Sequence, residues 1–533
     1  MTVMWRHQVH AGLVLFLAFW SLADGGKLLV VPQDGSHWLS MRMVLEKLWE
    51  KGHEIVAVVP DAALLLKSSQ SFTIKTYSVP YTQEFVDQYY QKLGENSFES
   101  LTLSFLLSNI TELTNMFTSA CQHLLSDKEL MKYLQDSKFD AIMMDPVLPC
   151  GPILAEYLSL PSVYFMRGLP CTLDYKAAQS PSPVSYVPKT LSSLSDHMAF
   201  PERVKNFLIG LSEPLLCHLF YLKYESLASE FLQRDVTIQE LFSQASVWLM
   251  RYDFVFEYPR PIMPNMVYVG GINCLQKKPL SKEFEAMVNA SGEHGIVVFS
   301  LGSMVSEIPM KKAMEIAEGL GAVPQTVPIP SFPSSRAAPR CSQLLPPFSC
   351  WDLTRALLPL PAHPKTRAFI THGGSHGVYE GICNAVPMVL MPLFGDQMDN
   401  AKRVESRGAG LTLNILEMTS TDISNALKAV INDKKYKENI QRLSDLHLDR
   451  PIHPLDLAVH WVEFVMRHKG APHLRPAAHD LNWVQYHSLD VIAFLAAVTL
   501  LFLFISFKCC LCCCRRCCCK KGRTGKATKA KSH

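Results

Sequence analysis

The body of this chain lacks the excess of basic residues that nucleic-acid-binding proteins carry. Nine of its 51 Lys and Arg residues lie between Lys508 and Lys531, where no Asp or Glu occurs. The other 42 basic residues stand against 48 acidic residues, so the body has a net charge near −6. Because binding to a polyanion needs a positive surface, nucleic acid is excluded as a partner.

The body is also poor in cysteine. Eight of the sixteen cysteines are spread over it, which is too sparse for a disulfide scaffold, so we expect buried thiols with one or two bridges. The other eight lie between Cys509 and Cys519. That cluster has no histidine and no suitably spaced Cys-x-x-C pairs, so we expect palmitoylation beside a membrane rather than a zinc site.

Two apolar runs indicate the membrane topology. Leu13–Leu22 follows Arg6 and precedes small residues, which predicts a signal peptide over residues 1–25. Val491–Phe507 has seventeen residues without a charge, enough for one membrane crossing. The basic tail at 508–533 belongs in the cytosol by the positive-inside rule, so we expect a type I protein with a lumenal body.

Short motifs agree with this topology. Asn109 and Asn289 begin Asn-x-Ser/Thr sequons, which are glycosylated only on the lumenal side. Lys529 and Lys531 stand five and three residues from the end, as in the dilysine retrieval signal of endoplasmic-reticulum membrane proteins. We therefore expect residence in that membrane.

The first half of the body reads as an α/β domain. A strand from Lys27 leads through a loop to a helix that ends near Trp49, and a second strand follows at Glu54–Val59. Strand, helix and strand in this order predict a parallel sheet, over residues 26–280.

A second α/β domain is expected over residues 281–460, after a proline-rich linker that starts at Tyr258. Residues 461–490 should then form lumenal helices that lead to the membrane. We expect two doubly wound, Rossmann-like domains facing each other across a cleft, with ligands at the carboxyl ends of both sheets.

The stretch Thr371–Asn400 has the residues that a sugar nucleotide needs. A short strand ends in a glycine turn before a helix, whose free amides suit a pyrophosphate, with His372 and His376 as further donors. Glu380 can accept from ribose hydroxyls, and Asp396 and Gln397 can bind those of a hexose.

Two residues at strand ends suggest a general base for proton transfer. His37 lies between the first strand and its helix, and Asp145 ends another strand. A carboxylate beside an imidazole would fix its tautomer and stabilise the charge that it gains on taking a proton. Taken singly, a histidine at a helix start is usually a cap and an aspartate before proline a turn.

The stretch after Thr371 resembles the donor-binding signature of the UDP-glycosyltransferases. That signature reads H-x-G-x-x-x-x-x-E, then V-P-M-x-x-x-P-x-x-x-D-Q, and it is matched at His372, Gly374, Glu380, Val386-Pro387-Met388, Pro392, Asp396 and Gln397. Ala385 stands where the family usually has a glycine.

Other motifs resemble the type 1 UDP-glucuronosyltransferases, especially their small-phenol-preferring members. These motifs are Asp34-Gly35-Ser36-His37-Trp38, Phe139-Asp140 through Asp145-Pro146, Leu301-Gly302-Ser303-Met304 and Phe464-Val465-Met466-Arg467-His468-Lys469. The resemblance implies a GT-B fold and transfer of glucuronic acid from UDP-glucuronate to a lipophilic hydroxyl, with inversion.

The resemblance also implies roles for residues. His37 would be the base and Asp145 its partner, and the donor would be bound by Arg251, Ser303, Thr371, His372, Ser375, His376, Gly377, Glu380, Asp396 and Gln397. Arg251 would bind the glucuronate carboxylate, although an ordinary surface ion pair would explain it equally well. UDP-glucuronate would be the co-substrate, without a bound cofactor or metal. The partners would be a small lipophilic acceptor, the membrane and related transferase subunits.

Residues 328–362 depart from the family. They contain eight prolines and no glycine, so they predict neither an ordinary helix nor a central strand. The family has a uracil-binding Trp-Leu-Pro-Gln element here, whereas Trp351 has no such residues after it. A replaced exon and a gene-assembly error are the two explanations. An inactive homologue that binds acceptors or modulates active subunits is therefore the alternative function. A glycosidase that pairs the carboxylates is a weaker one.

Overall fold

The computed structural model describes residues 25–519 except 67–68, 100–102, 276–278, 281, 303–304, 306–307 and 328–360. The expected signal peptide, Ser303, nearly all of the departing segment and the end of the tail lie outside the described residues. The chain divides into two compact units, one ending at Arg475 and the other beginning at Pro476.

The first unit opens with a sheet whose strands are buried on both faces. Leu28, Leu29 and Val30 of the first strand are fully buried, as expected of a parallel sheet covered by helices. The strands are β1 (Lys27–Val31), β2 (Glu54–Pro60), β3 (Thr73–Tyr77), β4 (Ala141–Met144), β5 (Ser162–Met166), β6 (Val247–Met250) and β7 (Met266–Tyr268). Among the described residues these seven are all parallel, in the order β3-β2-β1-β4-β5-β6-β7.

Helices cover both faces of this sheet. They are α1 (Ser36–Glu50), α2 (Gln83–Asn96), α3 (Leu103–Ser126), α4 (Lys128–Asp136), α5 (Cys150–Tyr157), α6 (Leu173–Ala177), α7 (Phe200–Leu232) and α8 (Ile238–Ser243). Short 3₁₀ turns lie at Pro170–Thr172 and Ile272–Leu275. A disulfide joins Cys121 of α3 to Cys150 of α5, and Cys171 and Cys217 are free thiols.

A second parallel sheet follows. Its strands are β8 (Ile296–Ser300), β9 (Thr366–Thr371), β10 (Met388–Leu390) and β11 (Gly410–Thr412), and within the described part of the chain their order is β11-β10-β9-β8. The helices are α9 (Lys282–Ala290), α10 (Met310–Gly321), α11 (Ser375–Cys383), α12 (Gln397–Ser406), α13 (Ser420–Asn432) and α14 (Lys434–Leu448). On its outer side β8 pairs, in the described residues, only through a bridge between Ile296 and Thr326. The departing segment therefore begins where a further strand would extend this sheet.

Two details of the expected organisation differ in the structure. The expected linker contains β7, which extends the first sheet. Helix α15 (Pro454–His468) contains the boundary expected at residue 460 and packs Val459, Val462 and Val465 into the core of the first sheet. The chain thus returns to the first domain, because the apolar face of α15 matches a face of that sheet rather than of the second.

The second unit contains the short helix α16 (Trp483–Tyr486) and the long helix α17 (Leu489–Cys519). Between Leu489 and Cys517, α17 is long and apolar enough to cross a membrane, with a mean hydropathy of 2.5 over its most apolar window. It is longer than the expected span 491–507 because the cysteine cluster continues the same helix.

Candidate functional site

The catalytic pair expected from the sequence is in contact. His37 lies in the first turn of α1 after Gly35, which has a φ of 76°, and Asp145 follows β4. Since β1 and β4 are neighbours, their carboxyl ends meet, and His37 Nδ1 lies 2.6 Å from Asp145 Oδ2. Asp145 is buried, whereas the His37 side chain is 28% exposed. With Nδ1 held by the carboxylate, Nε2 is the nitrogen left for a substrate.

The glycine turn before α11 leaves helix amides free. Gly374 is the N-cap of α11 and no side chain caps it, so the amides of the first turn have no side-chain acceptor. The ring of His372 lies between Gly302 and Gly374, where an added Cβ would stand 2.7 and 2.4 Å from it. Its Nδ1 is buried without a hydrogen-bond partner among the described residues. This turn has the features of an anion site.

Both histidines of the turn are neutral at pH 7. Burial lowers the pKa of His372 to about 4. Burial, with help from the Arg251 cation, does the same for His376. Ser40 of α1 lies 3.5 Å from His376 Nδ1, so the two domains meet at this point. These imidazoles can therefore donate hydrogen bonds to a phosphate, but they add no positive charge.

Glu380 lies one turn further along α11. Its carboxyl oxygen Oε1 is 3.6 Å from His376 Nε2, and burial raises its pKa to about 8. In the ligand-free protein this carboxyl is therefore mostly protonated at pH 7.

Asp396 and Gln397 stand at the start of α12 in different settings. The Asp396 side chain is 41% exposed and accepts from Asn400 and Arg167. Its partial burial raises the pKa of Asp396, but the Arg167 cation and these hydrogen bonds have the larger effect. The pKa of Asp396 therefore lies below its usual value. The Gln397 oxygen is already used, since it accepts from the amides of Leu393 and Phe394, which leaves only its NH₂ for a ligand.

Three other expected donor residues, Thr371, Ser375 and Gly377, lie at the glycine turn and the start of α11. The Thr371 hydroxyl is buried and accepts from the Gly373 amide, so it fixes the glycine turn. A Cβ on Gly377 would lie 2.9 Å from that hydroxyl, which explains the glycine there. Ser375 opens α11 at the cavity wall.

Arg251 is not a surface residue, so the surface ion pair considered above is wrong. The residue follows β6, is 6% exposed and donates to Ser40 Oγ at 3.2 Å. Its Nε is buried without a partner, and it forms no ion pair within the part of the chain that the structure describes. Burial lowers its pKa below the usual value. A buried cation with unused donors at a cavity wall suits an incoming carboxylate.

Arg167 is a site residue that the sequence reasoning missed. It follows β5 and is 6% exposed. Its guanidinium bonds Asp396 at 3.2 Å, Asn400 at 2.7 Å and the Arg251 carbonyl at 2.9 Å, and forms an ion pair with Glu257 at 2.7 Å. Its position at the carboxyl end of β5, the neighbour of β4, is the feature that could have identified it as a site residue.

One cavity of about 780 Å³ is lined by most of the residues described above, although Asp145 lies behind His37 and is not part of the lining. Its wall includes His37, Arg167, Arg251, Ser375, Glu380 and Asp396. Apolar side chains line the region near His37, namely Tyr89, Tyr90, Leu93, Leu113, Phe117 and Val147. By contrast, Phe165 and Met166 are fully buried core residues. The cavity thus has a polar part and an apolar part.

The sequons lie on helices. Asn289 is exposed near the end of α9, and Asn109 lies within α3.

Known proteins resemble this chain over nearly its whole length. It is 60% identical to UDP-glucuronosyltransferase 1A6 of Homo sapiens over 532 residues, which cover 99% of this chain and 98% of that protein. It is also 60% identical to UDP-glucuronosyltransferase 1A1 of Homo sapiens over 528 residues, 98% of each.

Solved glycosyltransferases share the fold. The calicheamicin glycosyltransferase CalG4 superimposes with a TM-score of 0.57 at 17% identity, over 83% of this chain and 99% of its own. Os79 of O. sativa, solved with UDP, has a TM-score of 0.53 at 16% identity, over 83% of this chain and 100% of its own.

The fold is therefore of the GT-B type, with two parallel sheets and the C-terminal apolar helix as a candidate membrane span. A family profile described as UDP-glucoronosyl and UDP-glucosyl transferase matches residues 26–524. The chain belongs to the family of UDP-glucuronosyl and UDP-glucosyl transferases.

Proposed function

We propose that this protein transfers glucuronic acid from UDP-glucuronate to hydroxyl groups of small lipophilic acceptors such as phenols. The observation that carries the proposal is that His37, 2.6 Å from the buried Asp145, lines the same cavity as the uncapped start of α11. UDP-glucuronate is the co-substrate, and the reaction needs no resident cofactor.

His37 acts as the general base. Its Nε2 takes the proton of the acceptor hydroxyl while that oxygen attacks the anomeric carbon of the sugar. The bond from this carbon to the UDP oxygen breaks on the opposite face, so the product is inverted. Asp145 is buried and stabilises the imidazolium that forms. The proton thus ends on His37, and the electron pair leaves with UDP.

The donor lies along α11 and the start of α12. The free amides at Ser375–Gly377 and the neutral His372 and His376 donate to the pyrophosphate, which steadies the leaving UDP. Ser303, which lies outside the described residues, is a further donor-binding residue by family resemblance. Glu380 accepts from the ribose hydroxyls.

The sugar is recognised by charge and hydroxyl contacts. Asp396 and the side-chain NH₂ of Gln397 bind the hexose hydroxyls. Arg251 binds the glucuronate carboxylate, because it is a buried cation with an unused Nε and forms no ion pair in the described residues. The apolar wall near His37 favours lipophilic acceptors, which lose little on leaving water there.

The body works in the lumen of the endoplasmic reticulum. This proposal follows from the signal peptide, the span in α17, the basic tail and the exposed sequon at Asn289. Residues 26–280 then form the acceptor and base domain, joined by α15, and residues 281 to about 453 bind the donor.

The test is glucuronide formation from UDP-glucuronate and a simple phenol in microsomes that express the chain. A second version carries the family-like segment in place of residues 328–362, and a third carries His37→Gln in that background. We expect activity in the first two and a fall of about 10²- to 10⁴-fold in the third.

Two results would contradict the proposal in different ways. Activity in the replaced version alone would make this chain the inactive homologue, with its defect in the departing segment. Full activity of the His37→Gln version would remove His37 as the base.

A further inference from the structure

A second disulfide joins the interdomain segment, the 3₁₀ turn Ile272–Leu275, to helix α11 of the second domain. Cys274 lies in the 3₁₀ turn Ile272–Leu275, and Cys383 is the last residue of α11. Their Cα atoms are 5.7 Å apart, which is within the range that a disulfide needs. The neighbouring Asn273 donates to the His376 carbonyl in the first turn of α11. The segment is therefore attached to α11 at both ends of that helix.

A buried histidine is directed at this disulfide. His447 of α14 is 2% exposed, and its Nε2 lies 3.4 Å from Cys274 Sγ. Its Nδ1 contacts the Asp253 carboxylate, which also pairs with Arg450. A Cβ on Gly271, whose φ is 82°, would stand 2.2 Å from Nε2, so only glycine allows this approach.

These groups favour a thiolate at Cys274. His447 Nε2, 3.4 Å from Cys274 Sγ, can donate a hydrogen bond to the sulfur, which lowers the cost of negative charge on it. Cys274 is thus a good leaving group in thiol–disulfide exchange, whose rate increases when the leaving thiol is more acidic.

Access differs between the two disulfides. Cys274 and Cys383 are partly exposed, whereas Cys121 is fully buried and Cys150 is 3% exposed. A small lumenal thiol of the glutathione class can therefore reach the first pair more easily.

We propose that Cys274–Cys383 is a reducible disulfide with His447 as its positioning residue, and that reduction weakens donor binding. An external thiolate attacks Cys383 Sγ, and Cys274 leaves as a thiolate beside His447. A second external thiol then resolves the mixed disulfide, so two thiols become one external disulfide and two cysteines. The effect on the donor rests on the function proposed above. Once the bond opens, the segment loses one of its two attachments to the helix that binds the pyrophosphate.

The first experiment measures each disulfide without using activity. Microsomes with the full chain are equilibrated in glutathione buffers of graded potential, and free and bridged cysteines are labelled with two alkylating reagents and quantified by mass spectrometry. We expect Cys274–Cys383 to open at a glutathione ratio at least about tenfold more oxidising than Cys121–Cys150 requires. Opening of both pairs together, free Cys274 and Cys383 in the most oxidising buffer, or stoichiometric zinc on the isolated protein would overturn the proposal.

The variant His447→Gln tests the role of the imidazole. We expect Cys274–Cys383 to need a buffer about tenfold more reducing in this variant, while Cys121–Cys150 keeps its midpoint as the internal control. An unchanged midpoint for both pairs would show that His447 only fills space. If the variant does not accumulate, the wild-type series still decides on the disulfide itself.

The effect on the donor is tested by the KM for UDP-glucuronate in oxidising and reducing buffers. We expect the KM for UDP-glucuronate to rise several-fold on reduction, with little change in kcat. In a Cys274→Ser/Cys383→Ser double variant, we expect no change in KM between the two buffers. A wild-type KM that stays constant while the disulfide opens would refute the regulation. Absence of activity in every buffer would count against the proposed function alone, because the labelling result does not depend on it.

Discussion

At the scale of single residues, the buried carboxyl of Glu380 links pH to stability. Its pKa of about 8 in the folded protein exceeds the value of 4.5 for an exposed glutamate. The folded state therefore binds more protons than the unfolded state between these values, so stability falls as pH rises through them. At pH 8 this cost is on the order of 4 kcal/mol.

Glu380→Gln should remove that cost. We expect the donor-free variant to have a higher Tm than the wild type at pH 8 and nearly the same Tm at pH 5, as measured by thermal unfolding in detergent. Because the variant also loses the carboxylate for the ribose, UDP-glucuronate should stabilise it less than the wild type. An equal Tm difference at both pH values would mean that Glu380 is ionised at little cost.

Arg251 provides a test of donor selectivity. Arg251→Met should lower kcat/KM for UDP-glucuronate by about 10- to 100-fold, because a charge-assisted hydrogen bond contributes roughly 1.5–3 kcal/mol. UDP-glucose has no carboxylate and serves as the control donor in the same variant. Parallel losses with both donors would assign Arg251 a structural role.

Where a motif coincides with a strand end, the sequence predicts which residues the structure brings together. His37, His372 and Glu380 line one cavity, and Asp145 contacts His37. Their roles stay predictions. The sequence does not predict that the Gln397 oxygen accepts hydrogen bonds from backbone amides, because that depends on the path of the loop before α12. Arg167 was missed because its partners are distant in the chain.

At the scale of elements, the end of α11 carries local strain. Ala385 has a φ of 51°, the left-handed region, and the Val386 amide closes the turn onto the Gly381 carbonyl. A side chain in this conformation costs about 1 kcal/mol relative to glycine. The family usually has glycine at this position.

Ala385→Gly should therefore stabilise the protein by about 0.5–1 kcal/mol, seen as a raised midpoint in chemical denaturation. The matched control is Ala426→Gly in the interior of α13, which should destabilise by about 1 kcal/mol. Loss of stability in both variants would show that Ala385 contributes more by packing than it costs in strain.

Elements with a continuous apolar run were predicted, whereas β3 and β7 were not. The first strands and helices agree with the structure within a few residues, since burial on both faces leaves a continuous apolar run. Strand β3, with sequence TIKTY, has a buried Tyr77 but otherwise mixed residues, and the three-residue β7 lies among prolines and glycines. Such strands depend on their neighbours in the sheet.

At the scale of the whole molecule, helix α12 joins the two domains. Asp399 accepts from the amides of Leu191 and Ser193, which precede α7. Arg403 pairs with Glu257 at 2.9 Å, and Arg167 reaches α12 from the end of β5. These polar contacts connect the two domains, and local patterns in the sequence carry no information about them.

Arg167→Met is the sharpest test of this interface. It leaves the buried Glu257 with one cation fewer and removes the bonds to Asp396 and Asn400, so we expect a loss of about 3–5 kcal/mol in unfolding free energy. The KM for UDP-glucuronate should rise as well, because Asp396 loses its fixed position. Arg167→Lys is the matched control, since it keeps the charge but not the planar fork, and its losses should be intermediate. If Arg167→Met unfolds like the wild type and only its KM changes, Arg167 positions Asp396 without holding the domains together.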